Sequence, residues 1–590
     1  MNWDLTKLYL DFDYPALEAD FAEADRLSGE LEALLARADH ADERGVLTSV
    51  IRLETQLAAK LNRAGQYVFL TLAADADNEP AQSWYDRLRR AAVRAEQILS
   101  AWARYVGGID DLPSVIATDA LLIEHDYLLH QLEERARHTL PEAIEPAVLQ
   151  MQLTGGHAWE KLRDMLDAGH TVEYRLGGET QTLTLSEVRL KAYAREAEVR
   201  KAAYEAEMAG YKAIETPMAA CLSAIKGEAL TLMDMKHYAS VLDETLEQAH
   251  ISRKALDAML GAIEEALPMF RRYLRAKARH LGHAGGLPFY DLFAPLGAAG
   301  EGYTLDEARA LLTEALGAFS PRLGALIERA FEERWIDAYP RAGKQGGAFC
   351  SDAYALGISY VLTNFDGSMN AVSTLAHELG HAYHNQQLYK NSILNSDAPM
   401  TLAETASIFN ETLLTERLLA RATPPERLML IDQELTEATQ TVVDILSRYY
   451  FETDVIEARK QRSLTSKDFQ RMMLDAQRRA YSDGLDDKVM HPYMWACKGH
   501  YYGPGLHFYN FPYAFGLLFG KGLYRVLSAE PNGAAERYEE LLRRTTLSDA
   551  ADVARGMGID IEDRAFWRGA LGLIGESVGR FEALLGDYAK

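Results

Sequence analysis

Leu17, Phe21, Ala24, Leu27, Leu31, Leu34 and Leu35 recur at steps of three and four residues with acidic residues between them, which draws one apolar face along a helix. The same period runs from Leu53 to Leu72, from Trp84 to Trp102 and from Leu121 to Leu132. Asp75-Ala76-Asp77-Asn78 and Gly107-Gly108 interrupt it, a pattern that predicts antiparallel helical hairpins. Around Val172-Glu173-Tyr174-Arg175-Leu176 the period drops to two, and Gly177-Gly178 supplies a turn before Thr182-Leu183-Thr184-Leu185. This is a β-hairpin signal near residues 172–185, with a helix starting near Ser186. The chain then reads as mostly helical. A second β-like patch comprises Gly346-Gly347-Ala348-Phe349-Cys350 and the run Ile358 to Phe365, closed by Asp366-Gly367.

These patterns predict a mainly α protein of two lobes packed along a cleft, because no fixed-period repeat and no Ser/Pro-rich tether separates the elements. The boundary is expected near residue 190, with a helical lobe over 1–190 that carries the hairpin and a chemical region over 191–590. Composition narrows the function. With 62 Lys plus Arg against 87 Asp plus Glu, the net charge of −25 opposes binding to nucleic acid or anionic lipid. Cys221, Cys350 and Cys497 are too few and too far apart for a disulfide framework or a Cys-x-x-Cys pair. The start of the chain has no basic region followed by an apolar stretch, and no run of about 18 apolar residues occurs. A soluble cytoplasmic protein without membrane contact is expected.

The chemistry lies directly after Asp366-Gly367. Residues 370–384 read as a helix, with Asn370 as its cap, and contain His377-Glu378-Leu379-Gly380-His381. Residues four apart on a helix lie about 40° apart around the axis, so His377 and His381 can grip one metal ion. Glu378 is turned about 100° from His377, close enough to act on water beside the metal without being a ligand. The rest of this helix is apolar, and two histidines on a buried face need partners to offset their desolvation. A metzincin would continue with a glycine and a third histidine, but His384 and Gln387 stand in those places. A downstream glutamate remains for the third ligand. Glu404 and Glu411 fall on one helical face, and Glu404 also fits a capping box with Thr401, so spacing alone leaves the choice open.

At these residues the chain resembles the thimet-oligopeptidase-like zinc metallopeptidases, and most closely the bacterial oligoendopeptidase F branch. That family's His-Glu-x-Gly-His-x-x-His runs here from His377 to His384, and its Glu-x-x-Ser-x-x-x-Glu is Glu404, Ser407 and Glu411. Leu287 to Leu296, Lys344 to Phe349 and the stretches His500-Tyr501-Tyr502 and Phe508 to Gly516 look like the same family. The resemblance implies one Zn2+ per chain held by His377, His381 and Glu404, with Glu378 as general base. Glu411 and His384 are implied as neighbours that support the ligands. It also implies a mainly helical, two-lobed body around a deep cleft, with a small β-sheet lining the active site. Gly346, Gly347, Ala348 and Phe349 would there pair with a peptide as an added strand. His500, Tyr509 and Tyr513 are implied to stabilise negative charge on the reacting oxygen, with His507 as the residue most easily mistaken for His500. The expected activity is hydrolysis of internal bonds in short, unstructured peptides. The alternatives are a zinc exopeptidase, which would need a charged group to hold a peptide terminus, or a peptide-binding scaffold without activity, in which Glu378 would have no purpose.

Overall fold

Long amphipathic helices open the chain, and polar side chains set where they start. A computed structural model of the chain describes residues 1–141, 143–297 and 302–588. Helix α1 (Pro15–Arg37) begins with proline in its first turn, where the missing N–H costs nothing. In α2 (Glu43–Ala74) the Asp42 carboxylate accepts from Gly45 N at 3.0 Å, and in α3 (Glu79–Gly107) Asn78 caps in the same way through Ala81 N at 3.0 Å. Leu27, Leu31, Leu47, Val50, Ile51, Trp102 and Val106 from these three helices meet in one core. The period from Leu121 to Leu132 is split at His125, whose ring turns in to bond Leu121 O and Ser392 Oγ.

The hairpin follows, with β1 (Thr171–Leu176) antiparallel to β2 (Glu179–Thr184). Both turn residues have positive φ, 60° at Gly177 and 87° at Gly178, which the two-residue turn requires and glycine adopts without strain. Val172 and Tyr174 are buried while Thr171, Glu173 and Arg175 face out, as the period of two demands. Helix α4 (Ala197–Met235) and helix α5 (Arg253–His280) come next. A three-stranded sheet then forms from β3 (Ile336–Asp337), β4 (Phe349–Ala353) and β5 (Ile358–Leu362) in the order β3-β5-β4. The central β5 is buried along its whole length and pairs parallel with β3 and antiparallel with β4. This makes β4 an edge strand.

Helix α6 (Met369–Leu388) carries the two histidines, and α7 (Thr405–Arg421) packs against it. The cap of α6 is Ser368, whose Oγ accepts from Ala371 N at 3.1 Å; Asn370 already lies inside the helix. Later helices include α8 (Phe511–Ala529), α9 (Ala534–Arg544) and α10 (Arg564–Tyr588). No helix among the described residues is long and apolar enough to cross a membrane.

Contacts divide the chain into two compact units, each assembled from three stretches. The first comprises Met1–Thr139, Glu301–Arg417 and Val526–Gly558, and the second comprises Leu140–Gly300, Leu418–Arg525 and Ile559–Lys590. The expected boundary at residue 190 instead falls inside the second unit. The reason is that two passages between units, after Arg417 and after Arg525, lie within α7 and α8, where helical periodicity continues and no linker composition appears. The first unit contains the three-stranded sheet, α6 and α9; in the second, α5 packs along α10 and the hairpin packs on α4.

Gly380 is the tightest point between α6 and α7. A Cβ there would lie 2.5 Å from Ala406 O and 2.6 Å from Ser407 Cα, both backbone atoms that cannot swing aside. Alanine would gain about 1 kcal/mol of helix propensity but must push two packed helices apart, an overpacking cost of about 1–3 kcal/mol. Gly380→Ala is therefore expected to lower the midpoint of thermal unfolding. A midpoint at or above that of the parent protein would show that the contact does not constrain the helices.

Candidate active site

Helix α6 presents His377 and His381 one turn apart, and their Nε2 atoms lie 3.2 Å from each other. The third group arrives from the break before α7. Residue 404 ends the short helix Met400–Ala403, so its carboxylate leaves the helix axis and points at α6. Glu404 Oε2 lies 3.3 Å from His377 Nε2 and 3.5 Å from His381 Nε2, while the Ser407 hydroxyl donates to the same oxygen at 2.7 Å. The capping-box alternative fails because Thr401 lies within that short helix, whose cap position is occupied by Pro399.

These spacings test the fit of a metal ion directly. Ligand atoms about 2.0–2.2 Å from a tetrahedral zinc are about 3.3–3.6 Å apart, close to the three separations found here. Among the described residues, His377, His381 and Glu404 form the one group of three such side chains able to share an ion. Two imidazole nitrogens and one carboxylate, leaving a position free, form a donor set suited to catalytic zinc. His377 Nδ1 lies 2.9 Å from Glu411 Oε1, so its Nδ1 proton is directed to that carboxylate and its Nε2 is turned toward the other two groups.

Electrostatics agree with a site built for positive charge. Burial works against a charged His377, but hydrogen bonds with Glu404 and Glu411 overcome it and hold its pKa well above 6.5. Burial also opposes ionisation of Glu404, yet the same histidine contact and the charge of His381 bring its pKa down to about 2. His381 goes the other way, to about 4, because its desolvation outweighs the attraction of Glu404. Glu378 is buried and makes no hydrogen bond or ion pair with any described residue. Desolvation lifts its pKa to about 7, with His377 pulling down and Glu404 and Glu411 pushing up.

His384 is anchored through its side chain on the other side of α6. Its Nε2 bonds Thr545 Oγ1 at 2.8 Å, just past α9, and the ring is buried, so it locks α6 against that segment. Tyr383 does the same through Glu539 at 2.6 Å. A buried Asn410, on α7, donates to Ala376 O at 3.2 Å and ties the two site helices together. Sequence reading passed over Asn410, and a polar residue in an apolar helical stretch was the available signal.

The sheet packs on α6, with Asn385 Nδ2 donating to Ser359 Oγ at 3.1 Å and Tyr389 Oη to Ile358 O at 2.6 Å. Glu378 is near enough to β4 for its charge to act on the Cys350 thiol. Gly346 and Gly347 precede β4, and a Cβ on either would meet no protein atom within 4 Å. Asn364 Nδ2 pins this approach by donating to Gln345 O and Gly347 O. Ala348 follows, and Phe349 begins the strand against Phe69, ring centroids 5.2 Å apart.

The second unit gathers His500, Tyr509 and Tyr513. The ring of His500 is 4.9 Å from that of Tyr509 and 6.4 Å from that of Tyr513. Asn510 Oδ1 accepts from Arg448 at 2.9 Å and from His500 Nδ1 at 3.1 Å, which fixes the tautomer of the ring. Burial lowers the pKa of His500, with the Asn510 bond opposing. His507 is a different kind of residue: it is buried, 3.1 Å from Lys226 Nζ, which also pairs with Glu452 at 2.6 Å.

Comparison with known proteins places this site within a shared fold. An oligoendopeptidase F homolog from Lactococcus lactis subsp. lactis is 24% identical, over 99% of this chain and 97% of its own. A crystal structure from Chlamydophila abortus superposes with a TM-score of 0.86 at 22% identity, covering 99% of this chain and 98% of that one. Oligoendopeptidase-F from Enterococcus faecium has the same mainly α fold, with a TM-score of 0.71 at 19% identity over 97% and 99% of the two chains. Residues 319–573, which hold the paired histidines, Glu378, Glu404 and the His500 cluster, match Peptidase family M3, and the chain is similar over nearly its whole length to an oligoendopeptidase F homolog.

Proposed function

We propose that the protein is a zinc endopeptidase that cleaves internal bonds of short, unstructured peptides in the cytoplasm. The observation that carries this reading is the convergence of His377, His381 and Glu404 beside a Glu378 that has no hydrogen-bond or ion-pair partner among the described residues. Zinc, when bound, would supply Lewis acidity to the scissile carbonyl and to the attacking water. Glu378 takes the proton from that water and passes it to the leaving amine nitrogen, a role matched by a carboxyl lifted to about 7. Glu411 holds the Nδ1 proton of His377 and so keeps Nε2 turned toward the ion. The three free cysteines suit a reducing compartment.

The substrate main chain is taken by the edge of β4. A peptide adding there as a strand is recognised through its backbone, and Gly346, Gly347 and Ala348 leave room for it to approach. Broad sequence tolerance and exclusion of folded proteins follow, because only an extended chain can pair. Tyr509 and Tyr513 donate to the developing oxyanion. His500 joins them only as imidazolium, since the Nδ1 proton is engaged by Asn510 and Nε2 must carry a second one.

The two glutamates separate binding from chemistry. Glu404→Ala is expected to lose both zinc and activity, whereas Glu378→Gln keeps zinc and peptide affinity and loses several orders of magnitude in kcat. Metal analysis beside single-turnover kinetics measures both, and full zinc with full turnover in Glu404→Ala would remove it from the ligand set.

A peptide blocked at both termini distinguishes internal cleavage from exopeptidase action. Mass spectrometry should find internal products from it, and a compact native enzyme incubated alongside should remain whole. Release of terminal residues alone, or breakdown of the native enzyme, would overturn the proposed specificity.

Tyr513→Phe should lower kcat about one hundredfold with zinc content and KM nearly unchanged. The loss caused by His500→Ala should be largest at acid pH and shrink as pH rises through the depressed pKa of this histidine, because the donating form is the protonated one. His507→Ala, which removes only a buried partner of Lys226, should reveal itself in stability. A larger rate loss there than in His500→Ala would contradict the assignment.

A further inference from the structure

The second unit contains a cavity of about 370 Å³, within the range of about 300–1,000 Å³ typical of small-ligand pockets. Its wall has an aromatic side: Tyr193, Tyr204, Phe289, Tyr290 and Phe293 line it, with Met494 beside them. Tyr193 and Phe293 lean together with ring centroids 4.8 Å apart. Leu190 and Tyr193, also in the lining, are 72% and 59% exposed, a large apolar pair left in water.

The charges around the cavity do not cancel. Arg200 is closed by Asp291 at 2.7 Å, with both side chains buried. Arg189 is paired with Glu207, which also faces His491 at 3.2 Å. Lys498 lines the same cavity, and its Nζ makes no hydrogen bond or ion pair with any described residue. Burial lowers the pKa of this ammonium, and Arg448 and Arg189 lower it further, against Cys497 and Asp444. One desolvated cation therefore stands over an apolar wall with no ion-pair partner among the described residues, an arrangement that costs stability unless a ligand supplies the charge.

We propose that this cavity binds an apolar carboxylate, the carboxyl-terminal residue of a short peptide, with its carboxylate on Lys498 and its side chain against Tyr204, Phe289 and Phe293. A free amino acid shares the carboxylate but also brings an ammonium group, for which Glu207 is already taken by Arg189 and His491. The binding does not require the peptidase reading. That reading supplies only a source, since each hydrolysed peptide bond leaves a new α-carboxylate.

Calorimetric titration of the zinc-loaded, full-length protein with N-acetyl-L-phenylalanine, its carboxamide and free phenylalanine tests the site. The acid should bind at least tenfold more tightly than the amide and more tightly than the free amino acid. Lys498→Met should abolish that preference and raise Tm, because it removes a desolvated charge that has no partner. Ala192→Trp, which fills the cavity and leaves Lys498 in place, should weaken the acid at least tenfold. Glu378→Gln should bind it unchanged, so loss of turnover and loss of this site are read separately. Equal binding of acid and amide would overturn the proposal, as would both cavity variants binding like the parent protein, the result expected if the carboxylate went to the metal. A lower Tm in Lys498→Met would make this lysine a structural residue and end the proposal equally.

Discussion

Between α6 and α7 there is room for a hydrogen atom at residue 380 and not for a methyl group. That closeness lets a glutamate at the start of α7 reach Nε2 of His377 while a second, on the same helix, reaches Nδ1. If the two helices stood further apart, both carboxylates would have to trade contact with the imidazole for water. The amide of Asn410 on the Ala376 carbonyl holds the approach, and the Thr545 and Glu539 contacts fix the other side of α6. Geometry at the metal position is thus inherited from backbone packing one layer out.

The site also shows how one residue type can serve opposite ends. Glu404 and Glu378 lie within reach of the same imidazole charge, yet one titrates at about 2 and the other at about 7. Both are desolvated, so burial alone cannot separate them. The difference is that Glu404 has histidine nitrogens and a serine hydroxyl to accept from, whereas Glu378 has no hydrogen-bond donor among the described residues. A carboxylate with donors stays ionised as a ligand, and one without them is free to exchange a proton near neutral pH.

Local patterns were legible in the sequence where one side chain or one period decides the outcome. The hairpin could be read because two glycines sit where both turn residues need positive φ, and the metal pair because a spacing of four is one helical turn. The likeness to Peptidase family M3 could be read from the motif residues that lie within 319–573. Reading failed where two local solutions compete: Ser368 and Asn370 are both good caps, and only the path of the chain out of Gly367 chooses the serine. His384 looked like part of the metal motif because it recurs on the same helix, but its partner comes from a segment more than a hundred residues later, which no spacing rule can reach. The division into units was invisible for a similar reason, since helices run through it without changing their composition.

That division bears on how the molecule is made. Helix α6 is fully synthesised once residue 388 has been added, but Glu539 and Thr545, the groups that satisfy its Tyr383 and His384, belong to the last stretch of the first unit. At synthesis rates of about 5–20 residues per second, the wait is roughly 10–30 s. During that time the helix bearing the paired histidines has a buried face without its final cover. The nascent chain must keep that face from aggregating or from capturing metal in an unfinished geometry, which makes the interval before residue 545 the most vulnerable stage of its biogenesis.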